Sequence, residues 1–132
     1  MTVFIDTSAL LAVLDADDEN HVSAKSAWEQ LILQGAPLAC TNYNLVETFA
    51  LVQHRLGVDA VRTLQESIIP LIAVAWVDAD THARSVSALL VAGRRRLSLV
   101  DCASFETMRR LGLDTAFAFD RHFAEQGFVT IP

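Results

Sequence analysis

The sequence predicts an α/β fold, a parallel sheet covered on both faces by helices. Three observations carry that expectation. Short runs that are apolar on both faces recur along the chain, each followed by a segment with helical spacing. The length, 132 residues, suits one domain with a radius of gyration of about 14 Å. A 52% hydrophobic composition with only 5 Gly and 3 Pro offers ample apolar surface to offset ordering entropy, which excludes disordered and collagen-like chains.

Thr2 to Ile5 is β-branched and aromatic and reads as a buried strand ending at Asp6. Thr7 or Ser8 caps a helix through about Ala16, where Leu10, Leu11, Val13 and Leu14 give a mostly apolar surface. Asp15, Asp17, Asp18 and Glu19 break that pattern as a solvated turn. His21 to Gln34 restores helical spacing, and Gly35 with Pro37 ends it. Leu38 to Thr41 is a second strand. Asn42 or Asn44 opens a helix to about Leu56, Gly57 stops it, and Val58 to Ile69 forms another before Pro70. Leu71 to Val77 is continuous and apolar and reads as a strand. Thr81 to Arg96 and Leu99 to Leu111 read as helices, with Gly93 inside the first and Gly112 ending the second. Ala116 to Phe119 and Phe128 to Ile131 are the last strands, around a helical turn near Arg121 to Ala124. No repeat, linker or low-complexity stretch interrupts the series.

Composition also limits function. With 10 Lys+Arg against 16 Asp+Glu, a net charge of −6 argues at first against a nucleic-acid partner. The longest uncharged run, Gln30 to Val46, carries Gln34, Asn42 and Asn44, so no membrane span is expected. No basic segment precedes the first apolar run, so no secretory signal is expected, and the reading is a cytoplasmic protein. Cys40 and Cys102 are far apart and read as reduced thiols filling core volume.

The placement of four carboxylates says more than their number. Asp6 is the only charged residue from Thr2 to Leu14, Glu47 the only one from Leu38 to His54, and Asp101 the only one from Leu97 to Phe105. Asp120 directly follows the uncharged Thr115 to Phe119. An isolated carboxylate at the edge of a core is costly unless paired, hydrogen-bonded, protonated or bound to a metal. The arginines Arg94, Arg95, Arg96, Arg109 and Arg110 lie mostly elsewhere, so one shared cation site is the economical arrangement. Strand carboxyl ends and helix amino ends line the same crevice in open α/β sheets, and an all-oxygen donor set suits Mg²⁺ or Mn²⁺ rather than Zn²⁺. Such a site can activate water against a phosphodiester. It also answers the charge objection, since 16 minus four acids against 10 bases leaves −2. Each acid also has an ordinary role: Asp6 and Asp101 as helix caps, Glu47 as an exposed helix residue, Asp120 as a turn residue.

VFIDTSALLAVL at the amino end, NLVETFALV in the first half, and LSLVDCASFETMRRLG and TAFAFDRHF near the end resemble the PIN-domain ribonuclease family, most closely the VapC-type toxins of bacterial toxin–antitoxin pairs. The resemblance covers essentially the whole chain, with the motifs in order. It implies a PIN-like three-layer α/β/α sandwich around a central parallel sheet, with residues 1–132 forming a single nuclease domain. It further implies an endoribonuclease that hydrolyses RNA phosphodiester bonds with Mg²⁺ or Mn²⁺. By motif match Asp6, Glu47, Asp101 and Asp120 are the acidic ligand set, with Thr7, Ser8 and Ser98 as accessory residues. One departure stands out: Ala118 occupies a position where many relatives carry Thr or Ser. The family habit also implies a homodimer and a cognate antitoxin whose carboxyl-terminal segment covers the site.

The alternatives are a silent PIN-like binding module, a free-standing PIN nuclease without antitoxin, and an acidic-pocket phosphoryl-transfer domain. The last wants a lysine near the pocket, and Lys25 is the only lysine. His21, His54, His82 and His122 show no ligand spacing, and no phosphate-cradling glycine loop is present. Trp28 and Trp76 read as core or interface residues. Arg94 to Arg96 read as a solvated helix end that can also contact substrate phosphates.

Overall fold

The structure, a computed structural model, describes residues 1–132. Its elements run β1 (Val3–Ile5), α1 (Thr7–Leu14), α2 (His21–Leu33), β2 (Leu38–Thr41), α3 (Asn42–Leu56), α4 (Val58–Thr63), β3 (Ala73–Ala75), α5 (Ala79–Ala92), α6 (Leu99–Leu111), β4 (Thr115–Phe117), α7 (His122–Glu125) and β5 (Val129–Ile131). The five strands form one sheet in the order β3-β2-β1-β4-β5, and every neighbouring pair is parallel. The chain therefore steps outward from β1 to β3 and then returns to the other side of β1. That reversal leaves a crevice at the carboxyl edge, beside the ends of β1 and β4.

Alternation along β1 splits the core in two. Val3 and Ile5 pack with Leu10, Ala24, Leu31, Val52 and Leu64 on one face. Phe4 packs on the other with Cys102, Phe105, Met108, Ala116 and Phe123. The Phe105 and Phe123 rings meet edge-on with centroids 5.0 Å apart. Full burial of each such side chain contributes about 1.5–3 kcal/mol. The result is the three-layer α/β/α sandwich expected from the sequence.

Several boundaries move, each for a local reason. α1 stops at Leu14, not near Ala16, because Asp15 turns extended and its Oδ1 accepts the Asp17 N–H at 3.0 Å. Carboxylates are also disfavoured at a helix carboxyl end. The helix expected over Val58 to Ile69 ends regularly at Thr63, continues as a widened π-type turn over Leu64–Ile68, and gives way to a 3₁₀ turn over Ile69–Leu71 around Pro70. That turn shortens the strand expected from Leu71 to Val77 to three residues on a sheet edge, leaving Trp76 71% exposed rather than in the core. α5 begins early because Asp78 accepts the Thr81 N–H at 2.8 Å. It ends at Ala92, before Arg96, because Gly93 is its cap at φ 61°, a left-handed conformation that suits glycine. Trp28 packs against the larger core cluster, and both cysteines are buried and free.

A buried polar joint ties the site-bearing helices together. Asn44 Oδ1 accepts the Thr41 N–H at 2.9 Å, and Thr41 Oγ1 accepts the Asn44 N–H at 3.1 Å, closing a capping box on α3. Asn44 Nδ2 reaches Ser104 of α6 at 3.3 Å. The Thr7 hydroxyl of α1 donates to the Asn44 carbonyl at 3.3 Å and accepts from the Thr48 hydroxyl at 3.1 Å. Asn44→Ala takes the side-chain acceptor from the Thr41 N–H and hydroxyl and removes the tie to Ser104, and urea unfolding should show a loss of about 2–4 kcal/mol.

Candidate metal centre

The four isolated acids arrive from four elements. Asp6 follows β1 and caps α1, Glu47 lies in the second turn of α3, Asp101 is in the first turn of α6, and Asp120 lies in the loop between β4 and α7. All four line one cavity of about 330 Å³, together with Thr7, Ser8 and Ser98. Arg96 lines it too, from the loop between α5 and α6. Lys25 does not.

Short hydrogen bonds set each carboxylate. Asp6 Oδ2 accepts the Ser8 N–H at 3.1 Å and the Ser8 hydroxyl at 2.5 Å, which leaves Oδ1 free. Ser8 Oγ in turn accepts the Phe119 N–H at 3.1 Å, fastening the start of α1 to the loop that carries Asp120. Asp101 Oδ2 accepts the Ser98 N–H at 3.1 Å, and Ser98 Oγ accepts the Asp101 N–H at 3.0 Å. Asp120 Oδ1 accepts the His122 N–H at 2.8 Å. Asp6 thus does serve as a cap, whereas the cap of α6 is Ser98 with Asp101 closing its capping box, and both carboxylates line the cavity. Thr7 spends its hydroxyl on α3, as a joint beside Glu47. Ala118, the departure noted above, is buried, and its N–H bonds the Ile131 carbonyl at 3.1 Å.

No lysine or arginine pairs with any of the four acids; the arginine ion pairs fall on Asp78, Asp80 and Glu125. Burial, with the charges on Asp101 and Asp120 adding to it against the Ser8 bonds, pushes the Asp6 carboxyl up from 3.8 to about 7. Burial also raises Glu47 and Asp101, and neighbouring carboxylates push in the same direction. An assembly of this kind is compatible with a divalent cation, which supplies the missing positive charge and takes hard oxygen donors.

His122 escaped the reading of the sequence, where it showed no histidine–histidine spacing. It is 5% exposed, and a ring nitrogen lies within 4.8 Å of carboxylate oxygens of Asp101 and Asp120. The one sequence signal was its place two residues after Asp120. The other histidines go elsewhere: His21 Nδ1 sits 2.8 Å from the Ala12 carbonyl, and His82 Nδ1 sits 2.5 Å from the Tyr43 hydroxyl. Burial pushes the Cys40 thiol up to about 12 and raises Cys102, which leaves both inert as nucleophiles.

The raised carboxyl has a signed consequence for stability. Asp6 holds its proton more tightly folded than unfolded, so its stabilising effect is full below 3.8 and is lost as pH rises through about 7. Without metal, the melting temperature should therefore fall between pH 5 and 7.5. Asp6→Asn keeps a capping side chain, so it should flatten that slope and gain on the order of 2–4 kcal/mol near neutral pH. Thermal melts across this range in EDTA measure both.

Comparison with known proteins places this fold. The family model of the PIN domain matches residues 3–129. The chain is 34% identical over 131 residues to the 23S rRNA-specific endonuclease VapC20 of Mycobacterium tuberculosis, covering 98% of this chain and 97% of that protein. The crystal structure of Mycobacterium tuberculosis VapC20, a sarcin–ricin loop cleaving toxin, superposes with a TM-score of 0.86 at 31% identity over 96% of each chain. FitAcB from Neisseria gonorrhoeae shares the fold, with a TM-score of 0.70 at 19% identity, covering 100% of this chain and 97% of that one. With a family model matching nearly its full length, the chain belongs to the PIN-domain family.

Proposed function

We propose that this protein is a divalent-metal-dependent endoribonuclease and the toxin of a toxin–antitoxin pair. The observation that carries the reading is the cavity at the sheet's carboxyl edge, where Asp6, Glu47, Asp101 and Asp120 converge with no lysine or arginine paired to any of them. Asp6, Glu47 and Asp101 form the principal Mg²⁺ or Mn²⁺ site, and Asp120 supports it. The likeness to VapC20 supports an RNA substrate and makes the sarcin–ricin region of 23S rRNA the first one to test.

A divalent ion bound there lowers the pKa of water and offsets charge on a phosphodiester oxygen. The chain's own residues prepare for it. Ser8 and Ser98 fix Asp6 and Asp101, each turning one carboxylate oxygen toward the fold. Arg96 offers a cation on the cavity wall for a flanking phosphate. The amino ends of α1 and α6 add positive potential beside the substrate. In-line attack of water on the scissile phosphorus expels the 3′ oxygen, leaving a 5′-phosphate and a 3′-hydroxyl.

The remaining biology follows the same proposal. Leu11 and Leu51 give the cavity an apolar wall that an antitoxin segment would cover. Leu90 and Val91 of α5 are exposed, apolar surface of the kind a homodimer buries. No helix is long and apolar enough to cross a membrane, and a cytoplasmic setting is proposed with the RNA substrate.

An RNA stem–loop carrying the sarcin–ricin sequence should be cut in Mg²⁺ or Mn²⁺ and spared in EDTA. Asp6→Asn and Asp101→Asn should each lower the rate at least about 100-fold; full, metal-independent cleavage by both variants sinks the assignment. A silent binding module would instead cut no RNA and gain no thermal stability from Mn²⁺. Because Asp6 must lose its proton to take a cation, Mn²⁺ affinity by calorimetry should weaken from pH 8 to pH 6.

A further inference from the structure

We propose that His122 is a nitrogen donor of this metal centre and that Glu125 is the carboxylate that orients it. The inference rests on reading the acidic cavity as a metal centre and adds a donor of different chemistry to it. His122 comes from the first turn of α7, and its side chain is only 7% exposed. Its Nε2 lies 3.8 Å from Asp120 Oδ1, and a ring nitrogen falls within 4.8 Å of oxygens on both Asp101 and Asp120. On the far side of the ring, Nδ1 is buried without a hydrogen-bond partner and stands 3.5 Å from Glu125 Oε1.

Leaving Nδ1 buried without a hydrogen bond costs roughly 1–3 kcal/mol, a cost that a closer approach of Glu125 to this nitrogen recovers. Metal-bound imidazoles commonly turn one nitrogen to the ion and give the other N–H to a carboxylate, which fixes the tautomer. Here Nε2 faces the acids and Nδ1 faces Glu125, in contact at 3.5 Å and not hydrogen-bonded. Glu125 is itself held, by Arg94 at 2.9 Å and Arg121 at 3.5 Å. Asp120 Oδ1 accepts the His122 backbone N–H at 2.8 Å, which fixes the acid against the start of α7. One imidazole among carboxylates shifts preference toward Mn²⁺ over Mg²⁺, since nitrogen donors suit the softer ion.

Mn²⁺ added to the intact metal-free protein is the probe, read by pulsed EPR with and without ¹⁵N-histidine labelling. The proposal expects a histidine nitrogen coupling that changes with the label and vanishes in His122→Asn. It also expects at least about a tenfold loss of Mn²⁺ affinity in that variant, and a smaller loss for Mg²⁺. Mn²⁺ bound in the wild type with no histidine coupling overturns His122 as a donor while leaving the acidic centre intact. A coupling that persists in His122→Asn does the same. If the wild type binds no Mn²⁺ that Asp101→Asn abolishes, the metal-centre reading itself fails and this one with it. Should His122→Asn not fold, the labelled wild type decides alone.

Discussion

The burial of neighbouring carboxylates that no lysine or arginine pairs is the constraint on which the rest of this structure depends. Four acids from four elements converge where strand order reverses at β1, and burial lifts Asp6 to about 7. A chain left to relax would separate them. It does not, because the elements that carry them are pinned to one another: Ser8 to the Phe119 N–H, Thr7 to Asn44 and Thr48, and Asn44 to Ser104. The hydrophobic layers on both faces of the sheet supply the bulk of the stability, and these polar joints hold the acids against their own field.

The fold was legible because its signals are strong and local. Apolar runs at Val3–Ile5 and Leu38–Thr41, the helices at Asn42–Leu56 and Leu99–Leu111, and Gly57 and Gly112 at their ends were readable, and each forms, although the caps are Thr41 and Ser98 and not Asn42 or Asn44. Misreadings fell where several weak signals compete. Leu71 to Val77 looks like a buried strand by hydropathy, yet it lies on an edge with a single neighbour, and Pro70 consumes its first residue in a turn. Gly93 looks like a helix interior because apolar residues precede it and arginines follow, and the positive φ that makes it a cap is invisible to periodicity.

The meeting of Asp6, Glu47, Asp101 and Asp120 was also readable, since each stood alone in an apolar window at the carboxyl end of a strand or near a helix start. His122 was not, because its significance lies in distance across the turn at Asp120 and not in any repeat of like residues. Arg96 sits between these cases: a run of three arginines announces a basic loop, but only the fold shows which of them lines the cavity and which, Arg94, is engaged by Glu125.

Asp6 divides its two oxygens, Oδ2 closing the start of α1 through Ser8 and Oδ1 left free. Each duty admits its own set of side chains. Helix starts accept Asp, Asn, Ser and Thr, whereas cation ligation by a carboxylate admits Asp and Glu. Only aspartate belongs to both sets. Under the proposed assignment of Asp6 to the cation, a change at position 6 therefore gives up either the helix start or the ligand in a single step.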